Sequence, residues 1–142
     1  LDKVESYTAL NTDGLYDDVS DEEIDAETTG RVEGCNNTGD VTADINVGGI
    51  AGSMAIDNDD LEDSAAGKAD VSPGSRYLIK CVINNCRNDG YITAKKDGVG
   101  GVAGYMKLGI IRGSTSFGSV RSSDGGYAGG ICGQSLSMIV DS

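Results

Sequence analysis

Carboxylates are the first residues in this chain whose types and spacing could do chemistry. The run Asp57-Asn58-Asp59-Asp60-Leu61-Glu62-Asp63 places five acids in seven positions. Such a donor set suits calcium, a hard cation that takes carboxylate oxygens. Asp57, Asp59, Asp60, Glu62 and Asp63 are therefore a candidate calcium site. An EF-hand loop would need Gly at its sixth position and Glu at its twelfth, where this run has Glu62 and Lys68. Those departures favour a solvated insertion loop. Asn11-Thr12-Asp13-Gly14 with Asp17 and Asp18 is a second acidic group of the same kind.

Other chemistry is narrowed by composition. The chain has no histidine, which excludes Ser-His-Asp and Cys-His triads, an imidazole proton shuttle and any zinc site containing His. An enzyme built here would have to work with carboxylates, lysine and arginine. Lys95-Lys96-Asp97 with Arg121 and Asp124 is the one mixed cluster outside the acidic segments, and a salt-bridged exposed face explains it as well. The sequence assigns no catalytic residue and requires no cofactor.

Four cysteines, Cys35, Cys81, Cys86 and Cys132, suggest disulfides in an exported chain. A zinc site of four thiolates would need closely spaced pairs, and only Cys81 and Cys86 are near each other. Ser20-Asp21-Glu22-Glu23 has the capping-box pattern and predicts a short helix through Glu27.

The elements that must position these residues come from a repeat. Val47-Gly48-Gly49-Ile50-Ala51-Gly52 recurs as Val99-Gly100-Gly101-Val102-Ala103-Gly104 and as Ala128-Gly129-Gly130-Ile131-Cys132-Gly133. Ahead of each lies a second motif: Val32 to Val41, Ile83 to Ile92, and Ile111 to Val120. Gly100 and Gly129 are 29 residues apart, but Gly48 and Gly100 are 52 apart. The shorter interval is a solenoid period; the excess is an insertion over about 55–78. Residues 1–31 read as an acidic N-terminal segment, with ten acids against Lys3 alone up to Gly30, and as a degenerate first coil or cap, with Leu10 to Tyr16 aligned on Cys86 to Ile92. The repeats occupy 32–142.

Within each unit apolar residues alternate, as in Val41 and Ala43, Ile92 and Ala94, or Val120 and Ser122, which is strand periodicity. Gly34, Asn85 and Gly113 form one turn column, and Gly39, Gly90 and Gly118 another; tolerance of left-handed backbone angles marks both as corners. Asn37, Asn88 and Ser116 form a polar column suited to bonding at the turn and between neighbouring coils. Three inner columns are expected: Val41, Ile92 and Val120; Ile50, Val102 and Ile131; Val32, Ile83 and Ile111. The fold class is all-β, a short parallel β-helix (solenoid) of about three to four coils with three short strands each and an acidic insertion loop. Cys35 and Cys86 share a position with Ser114, and Cys132 replaces Ala51 and Ala103, so these cysteines read as packing residues. If any bridge forms, Cys35–Cys86 is the pair that neighbouring coils bring within range.

The ordered pair of motifs, a Cys/Ser-x-x-x-Gly-x-Val/Ile segment followed by Gly-Gly-Ile/Val-Ala/Cys-Gly, resembles the GLUG-type repeat of bacterial surface and secreted proteins. The match covers roughly Val32 to Gly133 apart from the insertion. The resemblance implies a β-helical fold, an extracellular, cell-surface or secreted, bacterial address, and no catalytic residues. The function it suggests is a non-catalytic module, a rigid spacer or adhesin-like surface for host glycan or protein. Alternatives are an accessory substrate-positioning domain of a secreted hydrolase resembling IgA-cleaving peptidases, or a carbohydrate-active β-helix. The partners implied are neighbouring domains of a longer chain, which the start at Leu1 without a signal-like segment also suggests. A net charge of -12 opposes binding to nucleic acid. No apolar run is long enough to insert into a membrane.

Overall fold

The computed structural model describes residues 16–25, 28–55 and 77–142. The strands are β1 (Tyr16–Asp18), β2 (Thr28–Glu33), β3 (Asn36–Asn37), β4 (Val41–Ala43), β5 (Val47–Gly48) and β6 (Ala51–Met54). They continue as β7 (Tyr77–Asn84), β8 (Arg87–Asn88), β9 (Ile92–Ala94), β10 (Val99–Gly100) and β11 (Ala103–Met106). The last are β12 (Ile110–Arg112), β13 (Thr115–Ser116), β14 (Val120–Ser122), β15 (Ala128–Gly129), β16 (Cys132–Ser135) and β17 (Met138–Val140). All pairings are parallel, and strands stack in the orders β3-β8-β13, β4-β9-β14, β5-β10-β15 and β6-β11-β16, beside a five-stranded sheet of β1, β2, β7, β12 and β17. Among the described residues there is no helix and no sheet closes on itself.

The register agrees residue by residue with the sequence columns. Val41 pairs with Ile92 and Ile92 with Val120; Val32 pairs with Ile83 and Ile83 with Ile111. Between strands, Ile50 N–H donates to Val102 C=O and Val102 N–H to Ile131 C=O, so the remaining column stacks too. One core cluster contains Met54, Ile83, Val102, Met106 and Ile111; a second contains Val47, Ile92, Ala94 and Val99. In two of the three columns the central member is the most enclosed; in the third, Ile83 and Ile111 are both buried, since Ile111 also pairs with Ile139. Ile92 is fully buried while Val41 and Val120 stay half-buried, because β9 is paired on both sides and β4 and β14 on one.

Several local expectations change. Each segment forms five strand pieces rather than three, since ladder bonds persist as two-residue bridges close to the corners. Gly34, Asn85 and Gly113 have positive φ of 63°, 50° and 52°, and Asp141 continues the pattern at 52°. Gly39, Gly90 and Gly118 are not among the positive-φ residues. What requires glycine at Gly90 and Gly118 is backbone proximity: a Cβ on Gly90 would overlap Gly39 C=O, and one on Gly118 would overlap Gly90 C=O.

The capping-box helix is replaced by a turn and bend over 20–24. Ser20 Oγ does not cap a helix; it accepts from Cys81 N–H at 2.9 Å and donates to Asp18 Oδ1. Tyr16, expected beneath Ile92, pairs instead with Tyr77. Ile79 is paired with both Asp18 and Thr28, so β1 lies on the edge of β7 opposite β2, in line with β12. The two strands thus flank β7, β1 on one edge and β2 on the other. Lys80 fastens the 20–24 turn: its ammonium donates to the carbonyls of Glu22 and Ile24, the latter at 2.9 Å. Lys80→Met keeps most of the apolar stem but leaves both carbonyls without that donor. Urea unfolding should show a loss of about 1–3 kcal/mol.

Candidate functional site

Three surfaces gather the side chains that could act on another molecule. The first is a groove of about 270 Å³ between the 20–25 turn and the outer face of β2, β7 and β12, lined by Glu22, Asp25, Arg31, Glu33, Lys80 and Arg112 among others. Its polar groups largely serve the fold. Lys80 holds the turn carbonyls, Arg112 Nη2 donates to Asp21 C=O at 3.2 Å, and Asn84 Nδ2 donates to Glu33 Oε1 at 2.9 Å. The groove is therefore a clasp between the acidic segment and the sheet.

The second surface is the charged cluster expected from sequence. Arg121 pairs with Thr93, which pairs with Thr42. Lys95 does not turn toward Arg121; its Nζ pairs with Asp44 Oδ1 at 2.9 Å, both side chains being mostly exposed. Asp97 Oδ1 accepts from Gly126 N–H at 2.5 Å, so this carboxylate braces the next turn of chain. Lys95 holds Asp44 below the ordinary aspartate range by hydrogen bond and charge, and Asp44 in turn raises Lys95. Any stability from the pair is complete above the pKa of an unpaired aspartate and is lost as pH falls through the lower folded value. NMR titration should place the Asp44 midpoint below that of an unpaired aspartate, and Lys95→Ala should move it up.

The third surface, on the lateral face outside β8, β9, β13 and β14, was not singled out from sequence. Arg87 Nε donates to both oxygens of Asp89, at 3.0 and 2.8 Å. Its guanidinium carbon lies 4.6 Å from the centroid of the Phe117 ring, within cation–π range. Phe117, the sole phenylalanine of the chain, is 70% exposed, and Tyr91 is 62% exposed. Asn88 pairs with Ser116, so Phe117 follows on the segment next to Asp89. The available signal was compositional: an aromatic stands at Phe117 in a turn column that otherwise holds Thr38 and Asp89.

A comparison of the chain with family models, with curated proteins and with solved structures returned no match.

The calcium candidates Asp57, Asp59, Asp60, Glu62 and Asp63 lie outside the described residues, as do Asn11 to Gly14. Asp18 is occupied by the backbone: Oδ1 accepts from Ser20, and Oδ2 accepts from Gly109 N–H at 2.7 Å. Among the described residues no three His, Cys, Asp or Glu side chains converge as a metal-binding group. No described helix is long and apolar enough to cross a membrane.

Cys86 and Cys132 occupy the packing positions expected, whereas Cys35, expected to pack like them, is exposed because no described segment covers its outer side. Cys132 pairs with Ala103, which pairs with Ala51. Cys86 is buried, Cys81 and Cys132 are half-buried, Cys35 is exposed, and all four are free thiols. Burial raises the thiols of Cys81 and Cys132, and the Asp18 carboxylate adds to the shift at Cys81. Both are thereby poor nucleophiles.

Proposed function

We propose that the chain is a short parallel β-helix and serves as a non-catalytic repeat module of a bacterial cell-surface or secreted protein, a rigid spacer whose lateral face binds host glycan or protein. The observation that carries this reading is the matched register of the columns Val41–Ile92–Val120 and Val32–Ile83–Ile111 across three segments. Parallel ladders at several points of each coil resist bending and repeat outward positions at roughly 4.8 Å. The resemblance of the two motifs to GLUG-type repeats supplies the surface address.

Arg87, Phe117 and Tyr91 support a contact on the lateral face. An exposed aromatic ring gives a flat apolar platform at little cost in side-chain entropy, and arginine adds directional donors. The whole chain should be applied to a glycan array and to immobilised host extracellular proteins. It is expected to bind a member of one panel, and Phe117→Ala should weaken that binding about tenfold or more without changing the melting temperature. Lack of binding on both panels overturns the module's binding role. Binding indifferent to both Phe117→Ala and Arg87→Ala overturns the lateral contact.

A further inference from the structure

Cys35 and Cys86 occupy neighbouring places in a four-membered column. Glu33 pairs with Asn84 and Asn36 with Arg87, which puts the two cysteines in register. Arg87 N–H donates to Cys35 C=O at 2.8 Å. Ser114 and Ser142 continue the column, since Cys86 N–H donates to Ser114 Oγ and Ser114 N–H to Ser142 Oγ, both at 3.1 Å. All four side chains point the same way, each toward the carbonyl two residues earlier: Glu33, Asn84, Arg112 and Val140. Cys86 Sγ also leans toward the coil of Cys35, lying 3.7 Å from Val32 C=O. With Ser114 on its other side, Cys86 has one thiol neighbour in the column.

We propose that Cys35 and Cys86 are an oxidisable pair that closes into a disulfide between adjacent coils. Parallel neighbours lie about 4.8 Å apart, inside the Cα range of disulfides, roughly 4.4–6.8 Å. Cys35 is exposed and Cys86 is 1% exposed, which sets the order of events. The Cys35 thiolate attacks one sulfur of a small disulfide such as oxidised glutathione, forming a mixed disulfide and expelling one glutathione thiolate. That leaving thiolate takes up a proton equivalent to the one Cys35 lost. The Cys86 thiolate then attacks Cys35 Sγ, expelling the second glutathione. Two protein thiols are oxidised and one glutathione disulfide is reduced to two thiols. Burial raises the Cys86 thiol and encloses its sulfur, so Cys86 reacts within the mixed disulfide rather than with free reagent.

The closed loop runs from Cys35 to Cys86 and contains the whole acidic insertion. Constraining a loop of that length in the unfolded chain should raise Tm by about 10 °C. The test is treatment of the full chain with oxidised glutathione, followed by thiol titration, intact mass and peptide mapping. Expected are a fall from four free thiols to two, a mass loss of two hydrogens, a Cys35–Cys86 cross-linked peptide and the higher Tm. Cys86→Ser, which installs the residue found at Ser114, should stop at a glutathione adduct on Cys35. Four surviving thiols, an unresolved adduct in the unsubstituted chain, or a cross-link between other cysteines overturns the proposal. None of these readouts depends on whether the lateral face binds a ligand.

Discussion

Gly101→Ala is expected to destabilise the fold by about 3–5 kcal/mol, whereas Gly130→Ala should change stability by no more than about 0.5 kcal/mol. The two glycines hold the same place in the glycine motif, and neither has a positive φ. They differ in what lies above them. A Cβ on Gly101 would stand 2.5 Å from Ser116 Cβ and overlap both Ser116 Oγ and Gly130 C=O. Backbone cannot yield there, because Gly101 N–H is itself bonded to Gly130 C=O at 3.1 Å. Ser116 cannot rotate away without giving up Asn88. A Cβ on Gly130 meets nothing within 4 Å. Paired urea titrations measure the difference; equal effects would mean that close approach between segments is not what the motif secures. A typical domain has about 5–15 kcal/mol of stability in total, so the Gly101 variant should be largely unfolded at modest urea.

Asn88→Ala should cost about 2–4 kcal/mol, the second large effect. Asn88 is fully buried. Its Oδ1 accepts from Asn37 Nδ2 at 2.8 Å, and its Nδ2 donates to Gly90 C=O at 3.0 Å and to Ser116 Oγ at 3.2 Å. Truncation removes a partner from each of those groups and leaves a void between neighbouring strands. Asn37→Ala, at the outer and half-buried end of the same column, should cost about 1 kcal/mol. The double variant should cost less than the sum of the two, by more than about 0.5 kcal/mol. Strict additivity in denaturant titrations would show that the amides act independently rather than as a ladder.

These two positions also show how far the linear chain can be read. Asn37, Asn88 and Ser116 align without coordinates, and their bonding to the turn and to each other follows from the amide's paired donors and acceptor. Val32, Ile83 and Ile111 are legible for a similar reason: in-register parallel stacking gives equivalent places equivalent surroundings, so each segment reports on the next. The second glycine column misled because glycine answers two demands, left-handed backbone and close approach, and composition does not separate them. The helix after Ser20 failed because a capping box describes local competition for N–H groups, and here Cys81, sixty-one residues away, takes the hydroxyl.

The order of columns and the strand character of the described residues were set by residue types recurring in the same order in each segment, since that repetition is itself the pattern of contacts. Tertiary structure alone decided the rest. It sent β1 to the far edge of β7, committed Lys80 and Asp18 to backbone partners, turned Lys95 toward Asp44, and set Arg87 over Phe117. Each of those is a pairing between residues with no common spacing, chosen by which surfaces remain uncovered once the stack has formed.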